Sequence, residues 1–270
     1  MESVRGTGMD ALDTFLGGGL PAGFTTLLLT PSGAGGEIFA KQFAADHPGE
    51  KVAYITTDES EAEVLATVRL SGWNFEEVGI IDVQTMFADA MLDNQQTQRD
   101  ASQSVLENPS QRKFNPRDLV EGTNSLDLLK RRRKEGPSGR PSTDYLGMIL
   151  DPFRRLRAPD RTVIHSLDFF LNLYSVEEVV ATLTAIKAAN AKQGGEMLWV
   201  LSKGAHGATT ERRLELLADC LIELEMTRKG TTFERFCMVK KVKNRSTGVG
   251  VSTYQITPQG FHLETLERIV

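Results

Sequence analysis

The stretch TTLLLTPSGAGGEIFAKQF, residues 25–43, decides the fold. Residues 25–29 are β-branched and leucine-rich and predict a strand. Residues 30–36 form a glycine-rich turn, and residues 38–43 open an apolar helix. Strand, glycine loop and helix in that order are the layout of a phosphate-binding P-loop, whose working pattern is G-x-x-x-x-G-K-[ST]. Laid on this chain, the pattern puts Thr30 at the first glycine, Gly35 at the second, Gly36 at the lysine and Glu37 at the Ser/Thr. The spacing is kept, and three of the four fixed residue types are replaced.

The chemistry explains why the replacements matter. The lysine of a working loop holds the β- and γ-phosphates and the hydroxyl binds magnesium. Losing a charge-assisted contact costs roughly 1.5–3 kcal/mol. A carboxylate at 37 would face the phosphates, and like charges ~4 Å apart repel by about 4 kcal/mol at an effective dielectric of 20. A combined penalty of about 5 kcal/mol weakens binding more than a thousandfold, turning a micromolar site into a millimolar one. Two features act in the other direction. Ser32, Gly33, Gly35 and Gly36 still allow backbone N–H groups to turn toward an anion, and a carboxylate can itself ligate magnesium. A ligand-free glycine turn is the structural alternative.

The whole chain sets the class. Its 270 residues suffice for one large domain or two ordinary ones, and 40% hydrophobic with 25% charged residues is the composition of a globular protein with a sizeable core. A net charge of −5 supplies no global attraction to nucleic acid or to a membrane. Cys220 and Cys237 lack metal-ligand spacing and predict buried thiols in a reducing compartment. No apolar run reaches membrane-spanning length and no signal segment opens the chain, so the expectation is a cytoplasmic protein.

Ahead of the glycine loop, residues 10–16 predict a short amphipathic helix stopped by Gly17, Gly18 and Gly19. The run TGMDALDTFLGGGLPAGFTTLLLTPSGAGG resembles the opening of the KaiC-like branch of the RecA-superfamily ATPases, in which G-x-x-x-L-D-x-x-L-G-G-G-L-P-x-G precedes the P-loop strand. The resemblance implies an α/β, RecA-like, mostly parallel sheet flanked by helices, with an antiparallel C-terminal hairpin. It covers nearly the whole chain as a single domain, except residues 93–145.

Residues 51–57 predict the second strand, and residues 61–71 a helix with Ser60 as N-cap and Glu63 completing a capping box. Relatives of this kind carry a paired acid at the end of that strand, one of which polarises the attacking water. Asp58 and Glu59 fall on those positions; read from local chemistry alone they are helix-start acids favoured by the macrodipole. Residues 161–167, RTVIHSL, predict a core strand, and the resemblance puts the magnesium-orienting Walker B aspartate where His165 stands. A neutral imidazole does not supply the anion that a hard magnesium ion prefers, and no other histidine or cysteine is spaced to make it a zinc ligand. Asp168, past the strand end, is not expected to substitute. Residues 176–193 predict a long helix, 196–202 a buried strand, 203–213 a polar loop, and 220–227 with 234–243 a pair of strands turned at Lys229 and Gly230. The C-terminal segment resembles a family hairpin whose Lys and Arg reach a neighbouring subunit's nucleotide. Lys241 and Lys243 fall on those positions, against the plainer role of keeping an edge charged.

Residues 93–145 are rich in Asn, Gln, Ser, Arg, Gly and Pro and predict a largely disordered insertion with a short helix at 125–133 and a basic run, KRRRK, at 130–134. Taken together, the residues point to an inactivated KaiC-like ATPase homologue acting as a regulatory or scaffold protein, with signal transduction as one setting. No cofactor is expected, ATP–magnesium binding being weak, and no metal site. The expected partners are proteins: a second copy or an active ATPase relative. A weakly hydrolysing ATP-binding enzyme is the alternative, and a recombinase-like DNA binder using the basic run comes after it, disfavoured by the acidic balance and the lack of interleaved aromatics.

Overall fold

The computed structural model describes residues 3–93, 143–154, 158–245 and 248–268. The chain divides into two compact units, Met1–Gln84 with Tyr145–Val270, and Thr85–Asp144. In the second, residues 85–93 are helical; the basic run and the helix expected at 125–133 lie outside the described residues.

The first unit is built on a nine-stranded sheet. Its strands are β3 (Thr25–Thr30), β4 (Val52–Thr56), β5 (Val78–Asp82), β6 (Arg161–His165), β7 (Glu196–Ser202), β8 (Cys220–Lys229), β9 (Thr232–Val242), β10 (Gly250–Thr257) and β11 (Gly260–Arg268). Their order is β11-β10-β9-β8-β3-β7-β6-β4-β5. From β8 to β5 all pairings are parallel; β9, β10 and β11 continue antiparallel. This is the α/β sheet with an antiparallel C-terminal end that the resemblance implies. Parallel strands covered on both faces read as unbroken apolar runs, and every residue of β3, β4 and β6 is buried. A separate two-stranded ribbon, β1 (Val4–Arg5) with β2 (Leu20–Pro21), escaped the sequence reading because two residues carry no periodicity.

The helices are α1 (Asp10–Leu16), α2 (Gly36–Ala44), α3 (Glu61–Ser71), α4 (Tyr145–Arg154), α5 (Asp168–Leu173), α6 (Val176–Gln193) and α7 (Ala208–Leu217). The capping box at Ser60 and Glu63 forms, and Ser175 with Glu178 makes a second one at the start of α6. The polar loop expected over 203–213 is cut short, because α7 begins at Ala208. Its buried anchor is Leu214 alone, too little to give an apolar period.

Arg161 and Glu196 stand side by side where β6 meets β7. Arg161 donates from Nε to Glu50 at 3.1 Å and from Nη2 to the carbonyl of Gly6 at 2.7 Å. Its guanidinium lies over the Phe43 ring, 4.6 Å from the centroid. Glu196 is buried and neither of its carboxyl oxygens has a hydrogen-bond partner among the described residues. Burial pushes its pKa up to about 9, against the pull of Arg161 and Arg5. The folded chain therefore keeps a proton on Glu196 that the unfolded chain releases near pH 4.5. The native state binds the extra proton between these values, so stability is greatest at the acid end and falls as pH rises toward 9. Glu196→Gln removes that slope. Urea unfolding between pH 5 and 9 should show the variant gaining on wild type by up to about 1.4 kcal/mol per pH unit; parallel curves would contradict the assignment.

Candidate functional site

Because β3, β4, β6 and β7 run parallel, their carboxyl ends lie along one edge of the sheet, where open α/β folds place ligands. The register fixes the neighbours: Thr30 pairs with Ser202, and Thr56 with His165. The glycine loop, the acid pair and His165 thus converge on one crevice.

The loop leaves β3 at Thr30, and Gly33 and Gly35 adopt the left-handed region at φ 80° and 85°. Gly36 begins α2 and is not among the positive-φ glycines. The Tyr254 hydroxyl donates to the carbonyl of Ala34 at 2.6 Å. A Cβ on Gly35 would collide with Ile256, and one on Gly36 with Thr30. Tyr254 stacks on Phe261 at 4.2 Å between centroids, and Phe261 meets Phe39 of α2 edge-on. The C-terminal strands therefore clasp the glycine loop from one side. Gln42 of α2 adds to the clasp by accepting from the Phe261 N–H at 2.8 Å.

Across the crevice the acid pair is already engaged. Thr57 ties the ends of β4 and β6 together: its N–H donates to the carbonyl of His165 at 2.8 Å, and its hydroxyl accepts from the Ser166 N–H at 2.7 Å. That tie brings Asp58 Oδ1 to 3.1 Å from His165 Nδ1, an ion-pair distance without hydrogen-bond alignment. Glu59 turns the other way and meets Lys41 of α2, with Nζ 2.8 Å from Oε1 and 2.6 Å from Oε2. The Lys41 side chain is 1% exposed and that of Glu59 24%. Asp168 is also committed. It accepts from the Ser202 N–H at 3.0 Å and sits 2.8 Å from His206 Nε2.

Beside the loop, Pro31, Lys203, Glu225, Met226 and Thr227 line a cavity of about 310 Å³. Lys203 donates to Glu223 and Glu225, and Lys240 also donates to Glu223. Burial alone would raise the Glu223 carboxyl; the two lysines outweigh it and hold its pKa below the ordinary glutamate value. No cluster of three or more metal-ligating side chains occurs among the described residues.

Lys241 and Lys243 are not part of this crevice. Asp219 accepts from the N–H of Thr25, the first residue of β3, so this region lies at the opposite edge of the sheet from the glycine loop. Lys241 Nζ donates to the carbonyls of Glu215 at 2.9 Å and Ala218 at 2.6 Å, capping the end of α7. Lys243 Nζ is 3.4 Å from Asp219 Oδ1. Cys220 and Cys237 are buried free thiols, both pushed up to about 12 by burial.

The described residues contain no helix long and apolar enough to cross a membrane. Residues 5–122 match the family described as ATPase: KaiC. This stretch, less than half of the chain, is similar to the KaiC family of ATPases. A UPF0273 protein of Methanopyrus kandleri is 36% identical over 86 residues, 30% of this chain and 34% of that protein. The circadian clock oscillator protein KaiC of Prochlorococcus marinus is 33% identical over 78 residues, 27% of this chain and 15% of that protein. The chain thus spans about a third or less of the length of these relatives. The crystal structure of a KaiC-like protein from Pyrococcus horikoshii superposes with a TM-score of 0.63 at 17% identity, covering 98% of this chain and all of that one. The KaiC-like fold therefore extends well past the matched residues.

Lys41 and Glu223 lie outside the sequence motifs, and Tyr254 and Ile256 fall in the C-terminal hairpin segment, which gives no sign of their contact with the glycine loop. Lys41 left one signal: a lysine between Phe39, Ala40 and Phe43 falls on the apolar face of its helix and requires a counter-charge. The pair makes an asymmetric prediction. Glu59→Gln strands a buried ammonium and should cost about 3 kcal/mol. Lys41→Met leaves a quarter-exposed carboxylate that rehydrates, and should cost about 1 kcal/mol. Equal losses in urea unfolding would show that the pair is not buried in this way.

Proposed function

We propose that this chain is a catalytically inactivated KaiC-like ATPase homologue that works by binding proteins, as a regulatory or scaffold subunit in signal transduction. The observation that carries the reading is the Lys41–Glu59 ion pair. A general base must reach a water beside the γ-phosphate, and Glu59 is held against the inner face of the helix that follows the glycine loop. Asp58 faces His165, at the position where relatives place the magnesium-orienting acid. Gly36 and Glu37 offer neither the cation nor the hydroxyl of a working loop. An internal ammonium thus meets the carboxylate that hydrolysis would need free.

The partner is a second copy of this chain or an active ATPase relative. Lys243 is the cation this chain donates in such a pairing, since its side chain is 55% exposed; Lys241 is engaged at the end of α7.

Calorimetric titration of ATP with magnesium into the purified protein tests the reading. The expected result is no saturable heat up to millimolar nucleotide. Micromolar affinity would overturn it, because the losses at 36 and 37 predict a penalty of about 5 kcal/mol.

A further inference from the structure

We infer that Thr30 is the residue that closes the phosphate seat, and that the changes at 30 and 36 are one steric exchange rather than two separate losses. The inference deepens the proposed function and does not depend on whether nucleotide binds the wild-type chain.

Gly33 and Gly35 need glycine because their φ angles are positive. Gly36 does not: it lies at the first position of α2, outside the left-handed region. Helical backbone accepts any L-residue there, and alanine is favoured over glycine by roughly 1 kcal/mol. What forbids a side chain at 36 is Thr30. A Cβ on Gly36 would lie 2.5 Å from Thr30 Cγ2, 2.9 Å from its Oγ1 and 3.0 Å from its Cβ. Turning χ1 of Thr30 puts its Cβ hydrogen in place of only one of the two γ atoms that face Gly36 and leaves Cβ at 3.0 Å, so the crowding persists. The backbone of Thr30 cannot retreat easily either. Thr30 pairs with Ser202 in the sheet and its carbonyl accepts from the Lys203 N–H at 3.0 Å.

The working pattern has glycine at the first of these positions and lysine at the other. This chain has a β-branched residue at the first and glycine at the other. Thr30 fills the volume that the root of a lysine at 36 would occupy, so a cation restored at 36 alone would be expelled or would distort the loop. Thr30 is thus the determinant that bars any side chain, the phosphate-binding lysine included, from that seat.

A double-mutant cycle on thermal unfolding without nucleotide tests this directly. Gly36→Ala should lower Tm by about 4 °C or more. In a Thr30→Gly background the same change should cost less than about 1 °C or raise Tm. The same loss in both backgrounds, or no loss in either, overturns the inference. If Gly36→Ala yields no folded protein, the double variant decides: folding supports the exchange and failure refutes it. Gly36→Lys alone should likewise be defective and Thr30→Gly/Gly36→Lys folded. Because no ligand takes part, these outcomes stand apart from the calorimetric result above.

Discussion

Lys41 puts an ammonium on the inner face of α2, and a buried ammonium costs several kcal/mol unless a carboxylate meets it. Glu59 meets it. That contact ties the helix after the glycine loop to the turn after β4, and those two elements form the walls of the crevice. The Thr56 hydroxyl holds the same turn by donating to the carbonyl of Glu59 at 2.6 Å. A pair placed here is costly to break by removing one partner, yet it contributes little to net stability. Its main consequence is that the carboxylate has a fixed direction, toward Lys41 on α2.

The sheet makes that arrangement possible. Parallel strands bring the ends of β3, β4, β6 and β7 to one edge, so residues far apart in sequence become neighbours through register alone. At that edge several polar groups find partners within the chain: Glu59 in Lys41, Asp168 in Ser202 and His206, and Glu223 in Lys203 and Lys240, while Asp58 lies at ion-pair distance from His165. The glycine loop is clasped by Tyr254 and Ile256 and filled by Thr30. On the proposed reading, partners supplied by neighbouring side chains stand in for those that phosphate and magnesium supply in a working site.

The parts legible in sequence follow from local rules. Continuous burial of β3 and β6, the capping box at Ser60, and the helix stop at Gly17 each depend on a few adjacent residues. So does the alignment of Thr30, Gly35, Gly36 and Glu37 on the loop pattern. The pairing of Lys41 with Glu59 joins residues 18 apart through tertiary packing, and the clasp at Tyr254 and Ala34 joins residues 220 apart. No local pattern encodes either. The contact of Thr30 with Gly36 lies within the motif itself, but its meaning depends on the path of the loop, which spacing does not give. The role of Lys241 shows the same limit. Its charge and strand position suit an intersubunit contact, whereas its ammonium in this chain caps α7.

The most direct test of the proposed inactivation is turnover. Phosphate release from γ-labelled ATP with magnesium should be followed for the wild-type chain and Glu59→Gln side by side. The account predicts that both match the buffer blank, because a carboxylate held by Lys41 contributes nothing to hydrolysis. Wild-type turnover above the blank that Glu59→Gln abolishes would contradict it, and would make Glu59 a working base.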